Sequence, residues 1–214
     1  MAASIEHRHG IAEPLVALTY DDGPSEWTVP ILEHFSEHGG RATFFVLGNA
    51  IDGEERRATL RRTVAEGHEI GNHTFTHPGD LATLDEAVIR EEIGRAQSSI
   101  REVAGVEPVY WRTPFLRTSE RLLSVVSTLG LTHVGCSVMP GDWELDADEI
   151  ADGVRPHLRP GAVIVLHDGR PEDEPPELSR PTREETAKAT RTILEDMSRL
   201  GLRAVTVSEL VAAD

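Results

Sequence analysis

The sequence predicts an α/β fold: a distorted or incomplete (β/α) barrel of about seven strands, forming one domain over 1–214 with its core at about 15–210. Three observations carry this. Short runs rich in β-branched and aromatic residues recur at 15–20, 41–47, 69–73, 108–112, 132–138, 162–166 and 203–207. Longer amphipathic stretches separate them, and strand–helix alternation of this kind builds a parallel sheet. Seven such units in 214 residues suit an incomplete barrel better than an eightfold one, with a doubly wound open sheet as the alternative. Both architectures bind ligands at the carboxyl ends of the strands.

Helix starts are marked by capping-box spacing, in which a short polar side chain and a glutamate three residues on satisfy each other's backbone amides. The pairs are Thr83 with Glu86, Asp146 with Glu149, and Thr182 with Glu185. The last opens a stretch carrying Ile193, Leu194, Met197 and Leu200 at the spacing of one helical face.

With 39% hydrophobic residues and no Ser/Gly-rich linker, repeat or composition shift, the chain can bury one substantial core. A net charge of −16 repels phosphate backbones and anionic lipid, so neither nucleic acid nor a membrane surface is an expected partner. Cys136 is the only cysteine, which excludes an intramolecular disulfide, and its apolar surroundings read as a buried core thiol. The first fourteen residues hold no apolar stretch of signal-peptide length, and no run of 18 apolar residues occurs anywhere, so a cytoplasmic chain is expected. His7 and His9 read as a flexible basic tip.

The residues with chemical potential fall at the predicted strand ends. The first strand runs into Asp21-Asp22-Gly23-Pro24. Adjacent carboxylates repel, so something must offset them, although Asp-Gly-Pro is also ordinary turn chemistry. The third ends at His73, with His77 four residues on; on one helical turn such a pair faces the same way and suits a cation. With a strand-end aspartate it makes a His₂Asp set that leaves positions open for water, the pattern of a catalytic ion. The fourth strand ends in Arg112-Thr113-Pro114-Phe115, where Arg112 suits either a bidentate carboxylate partner or a rim salt bridge. Asp142-Trp143 follows the fifth, and His167-Asp168-Gly169 follows the apolar sixth. The acidic, proline-rich segment 170–181 reads as an irregular loop bordering these residues.

In order and approximate spacing, TYDDGP, HTFTH, RTPF, DW and VLHDG resemble the five motifs of the polysaccharide deacetylase family, whose members deacetylate chitin, chitooligosaccharides, peptidoglycan and acetylxylan. The resemblance runs from about Leu15 to Leu210. It implies one divalent ion, zinc foremost with cobalt, manganese, nickel or iron compatible, held by Asp22, His73 and His77. It implies Asp21 as general base, Arg112 as its partner, the Phe115 amide as an oxyanion donor, His167 as general acid and Asp142 as the carboxylate that keeps it cationic. Trp143 resembles the wall beside that histidine. Two positions depart from the family pattern: Val165 stands where leucine is common beside the acetyl methyl, and Leu116 replaces a frequent glycine next to the substrate groove.

Elementary chemistry agrees: amide hydrolysis needs an activated water, a donor for the oxyanion and a proton for the leaving amine. The expected reaction is removal of N-acetyl groups from amino-sugar substrates of chitooligosaccharide or peptidoglycan type. The alternative keeps the metal site and takes a small intracellular amide, imide or formamide. A sugar-binding module without catalysis predicts loss of a ligand, base or acid, and none is lost.

Overall fold

The computed structural model describes residues 4–172, 174–175, 177 and 179–213. Its strands are β1 (Ser4–Ile5), β2 (Leu15–Asp21), β3 (Thr43–Val46), β4 (Glu69–Asn72), β5 (Tyr110–Trp111), β6 (Thr132–Val134), β7 (Val163–His167) and β8 (Arg203–Val205). The helices are α1 (Thr28–His38), α2 (Gly53–Ala65), α3 (Glu86–Ala104), α4 (Glu120–Thr128), α5 (Ala147–Val154), α6 (Glu184–Arg199) and α7 (Val207–Ala212). The sheet order is β1-β6-β5-β4-β3-β2-β7, with β8 beside the first half of β2, and every pair is parallel.

Parallel sheets need both faces covered, and β2 is buried along its whole length. Leu15 and Ala17 point inward with Phe45, Val134, Val163 and Val205, where Val207 and Leu210 of α7 complete that core. Val16, Leu18 and Tyr20 point outward with Ile164 and Leu166 against α1, α5 and α6, and Ile89 and Ile93 of α3 join Trp111 and the α4 residues Leu122, Val125 and Val126 in a third cluster. The two faces therefore follow the period of two along each strand. Between β6 and β7 the ladder reduces to one bridge, Val138 to Ile164, so the barrel is incomplete as expected.

The structure revises several details. The expected N-terminal tip contains a strand: β1 pairs with β6, His7 bridges to Ala162, and the His7 ring lies 3.2 Å from Ser137 Oγ. Two residues of unremarkable composition give no periodic signal; the unpaired seam supplies the pairing. Of the three capping boxes only Asp146 with Glu149 forms, with both bonds at 3.0 Å. Thr83 lies in a short 3₁₀ turn and donates to Asp80 O, while Glu185 accepts from Ala147 N across to α5. A fourth box, Thr206 with Glu209, opens α7. Leu200 is the helix C-cap and largely exposed, leaving Ile193, Leu194 and Met197 as the buried stripe. Cys136 is half-buried rather than in the core, and burial pushes its thiol pKa up. No helix among the described residues is long and apolar enough to cross a membrane. Of the 170–181 loop, positions 173, 176 and 178 lie outside the described residues.

Candidate metal centre and catalytic pocket

β2 delivers Asp21 at its last position, and the chain turns at Asp22 with a left-handed φ of 74°. β4 ends just before His73, β5 just before Arg112, and β7 on His167. Because neighbouring strands are parallel and in register, these ends converge on one rim of the barrel: Asp21 pairs with His167 in the ladder and Asn72 with Trp111.

The histidines are not on a helical turn. The segment from His73 to His77 is a loop in which Thr74 and His77 adopt φ of 74° and 62°. Thr74 N donates to Asn72 Oδ1 at 2.9 Å and His77 N to Thr74 Oγ1 at 3.1 Å, so local side-chain bonds replace the helical ladder. The two rings still meet, with centroids 5.0 Å apart. Among the described residues, the non-glycine positions with positive φ are Asp22, Thr74, His77, Phe115 and Leu116, and all border this rim. Each costs about 1–2 kcal/mol, so surrounding contacts must hold them, and such strain concentrates at functional sites.

Asp22, His73 and His77 are buried and offer ligand atoms that all lie within 4.8 Å of one another. His73 Nδ1 donates to Arg112 O at 2.9 Å, which turns Nε2 toward Asp22 Oδ1 at 3.4 Å; His77 Nε2 lies 3.5 Å from the same oxygen. That oxygen is buried without a hydrogen-bond partner. An orphaned carboxylate oxygen between two imidazoles fits a divalent cation, and a backbone acceptor behind a ligating histidine is the usual support for one. Burial would raise the Asp22 pKa, but His77 and His73 outweigh it and hold it well below the carboxylate range. Burial likewise lowers His77, whereas at His73 the nearby Asp21 and Asp22 outweigh burial and raise it.

Beside this donor set, Arg112 is fully buried and its Nη1 donates to Asp21 Oδ1 at 2.7 Å and Thr19 Oγ1 at 2.8 Å. Nε and Nη2 donate to Val134 O and Gly135 O, and the guanidinium lies 4.0 Å over the Phe45 ring. Four hydrogen bonds and one ring face thus hold the cation. Its burial rules out the rim salt bridge, and its contact with Asp21 runs through Nη1 to one oxygen rather than bidentately. On the other side, Asp142 accepts from His167 Nδ1, His167 N and Thr186 Oγ1, each at 2.8 Å. Burial would lower the His167 pKa; the Asp142 carboxylate outweighs it and pushes the imidazole up to about 9. Trp143 stands edge-on to that ring at 5.4 Å. Phe115, half-exposed, packs its ring 4.8 Å from His77, and its backbone N–H meets no protein acceptor among the described residues. Val165 is buried on the same strand face as His167, and Leu116 is partly buried beside Phe115.

Four residues escape sequence reasoning. Thr19 and Thr186 look like ordinary strand and helix threonines. Asp168 packs where a Cβ on Gly23 would fall, and Thr28 Oγ1 donates to its Oδ2 at 2.5 Å. Burial, only partly offset by Thr28, pushes its pKa up to about 7. Glu92 accepts from the amides of Phe75 and Thr76. Its position is legible in the sequence, as a charge on the apolar stripe Ile89, Ile93, Ala96, Ile100 of α3, but its role is not.

The profile of the polysaccharide deacetylase family matches residues 10–134. The chain is 37% identical over 190 residues to a chitooligosaccharide deacetylase of Sinorhizobium fredii, covering 87% of each protein. It superposes on the peptidoglycan N-acetylglucosamine deacetylase Bc1960 with a TM-score of 0.83 at 31% identity, covering 94% of this chain and 89% of that one. A family 4 acetyl xylan esterase from Clostridium thermocellum, solved with a cobalt ion, gives 0.79 at 34% identity over 92% and 89%. With a matching profile, a relative alike over most of its length and the same barrel, the chain belongs to the polysaccharide deacetylase family.

Proposed function

We propose that this protein is a metal-dependent N-deacetylase that hydrolyses the acetamide of amino-sugar substrates of chitooligosaccharide or peptidoglycan type. The observation that carries the reading is one rim with three complementary parts: an Asp22–His73–His77 donor set with an orphaned oxygen, an Asp21–Arg112 pair and an Asp142–His167 pair. Relatives named for chitooligosaccharides and for peptidoglycan N-acetylglucosamine support the substrate class.

Asp22, His73 and His77 would hold a divalent cation, zinc in this reading, which when bound would supply Lewis acidity and make water a stronger acid. Asp21 takes the proton of the attacking water; its other oxygen stays bonded to Arg112, which balances the charge. The Phe115 amide donates to the oxyanion as the carbonyl becomes tetrahedral. His167, bonded through Nδ1 to Asp142, has Nε2–H left to protonate the departing amine. Trp143, Val165 and Leu116 border the acetyl group and the adjoining sugar.

Acetate release across chitooligosaccharides, peptidoglycan fragments, acetylxylan and small acetamides tests the proposal. The expected result is turnover of the N-acetylated sugars well above the small acetamides. Turnover confined to small amides, imides or formamides overturns the substrate assignment.

A further inference from the structure

Burying a carboxylate in a helix–sheet interface is unfavourable unless its lone pairs are used. Glu92, on α3, is buried among Ile89, Ile93 and Ala96, and its lone pairs go to the cation-binding loop. Oε2 accepts from Phe75 N at 3.1 Å and Thr76 N at 2.8 Å, and Oε1 accepts from Thr76 Oγ1 at 3.0 Å. Thr74 and His77, on either side of these two amides, are left-handed. Without that acceptor, two partly buried donors are orphaned and the loop has reason to relax toward ordinary φ values.

The same helix grips the loop twice more. Arg95 lies 3.8 Å over the Phe75 ring, and Asn72, which fixes Thr74 N, donates to Ile93 O at 3.0 Å and Gln97 Oε1 at 2.8 Å. Arg95 packs on the Phe75 side chain and Asn72 fixes the Thr74 amide; Glu92 alone bonds the amides of Phe75 and Thr76.

We propose that Glu92 is a positioning residue for the cation: its carboxylate holds the Phe75–Thr76 backbone so that His73 and His77 reach Asp22 already arranged. The bonds are charge-assisted and so stronger than neutral ones. Glu92 touches neither substrate nor cation and acts through the loop. The inference rests on the reading that Asp22, His73 and His77 hold a divalent ion.

The test is competition titration of metal-free protein with Co²⁺ against a chromogenic chelator, with thermal unfolding of the metal-free form in parallel. Outer-shell partners of metal ligands typically contribute 10–100-fold in affinity. Glu92→Ala should therefore bind Co²⁺ about 10–100-fold more weakly. Glu92→Gln, whose carbonyl oxygen still serves both amides while Thr76 Oγ1 turns to accept from its NH₂, should recover most of the loss. A merely structural Glu92 lowers the unfolding temperature and leaves Co²⁺ affinity at the wild-type value; that result overturns the proposal, as does a Gln variant as weak as Ala. Should Glu92→Ala fail to fold, Glu92→Asp takes its place, too short to reach both amides, with the same expectation and the same overturning result. Wild-type protein that binds no Co²⁺, or binds it equally well as Asp22→Ala, refutes the metal reading itself rather than the role of Glu92.

Discussion

Single side chains at this rim are set by what stands behind them. His167 keeps its proton at neutral pH because Asp142 lies 2.8 Å away and is itself fixed by Thr186. As a raised histidine, it contributes stability that is complete below its ordinary 6.5 and is lost as pH rises through about 9. With His167 as the proposed acid, the same titration should set the alkaline limb of kcat/KM, since an acid works only while protonated. Asp142→Asn keeps the shape and removes the charge, so that limb should move to lower pH in a profile measured on an N-acetylated oligosaccharide. His167→Ala should harm unactivated amides far more than activated aryl acetates, whose leaving groups need no proton. A superimposable Asp142→Asn profile, or equal losses on both substrate types, excludes these assignments.

At the scale of elements, the helices behind the rim divide into those that support the site and those that only fill the fold. The α5 capping box belongs to the second kind: Asp146 is exposed and joins only Glu149 in the box. Asp146→Ala should cost about 0.5–2 kcal/mol in urea unfolding and leave kcat/KM unchanged; a loss of activity at full folding would place α5 in the site's support. What the sequence made legible follows the same division. Strand ends were readable because β2 and β7 are buried runs that stop abruptly at charged residues, so Asp21, Asp22 and His167 stood out. The His73–His77 spacing was readable, but its backbone was not, since helical and left-handed paths bring the same two rings together. Strand β1 and the roles of Glu92 and Asp168 were hidden because they depend on long-range pairing: β1 with β6, α3 with the loop, and Asp168 with the space above Gly23.

For the molecule as a whole, the incomplete parallel barrel separates stability from chemistry. Leu15, Phe45, Val163, Val207 and Leu210 fill its interior, while the carboxyl rim gathers the strained and buried polar groups. A net charge of −16 favours a divalent cation and neutral or cationic sugars over polyanions. In the proposed function this rim hydrolyses acetamides by means of a cation, with adjacent aspartates in different roles. Acetate release from a chitooligosaccharide tests it most directly, measured with bound zinc in the same samples for wild type, Asp21→Asn and Asp22→Ala, after chelation and after adding back one equivalent of zinc. Chelated wild type should be inactive and recover with zinc. Asp21→Asn should retain zinc yet lose on the order of 10²–10⁴-fold in rate, and Asp22→Ala should fail to retain zinc. Full activity after chelation, or two aspartate variants alike in zinc content and rate, would contradict cation-dependent hydrolysis with divided aspartate roles.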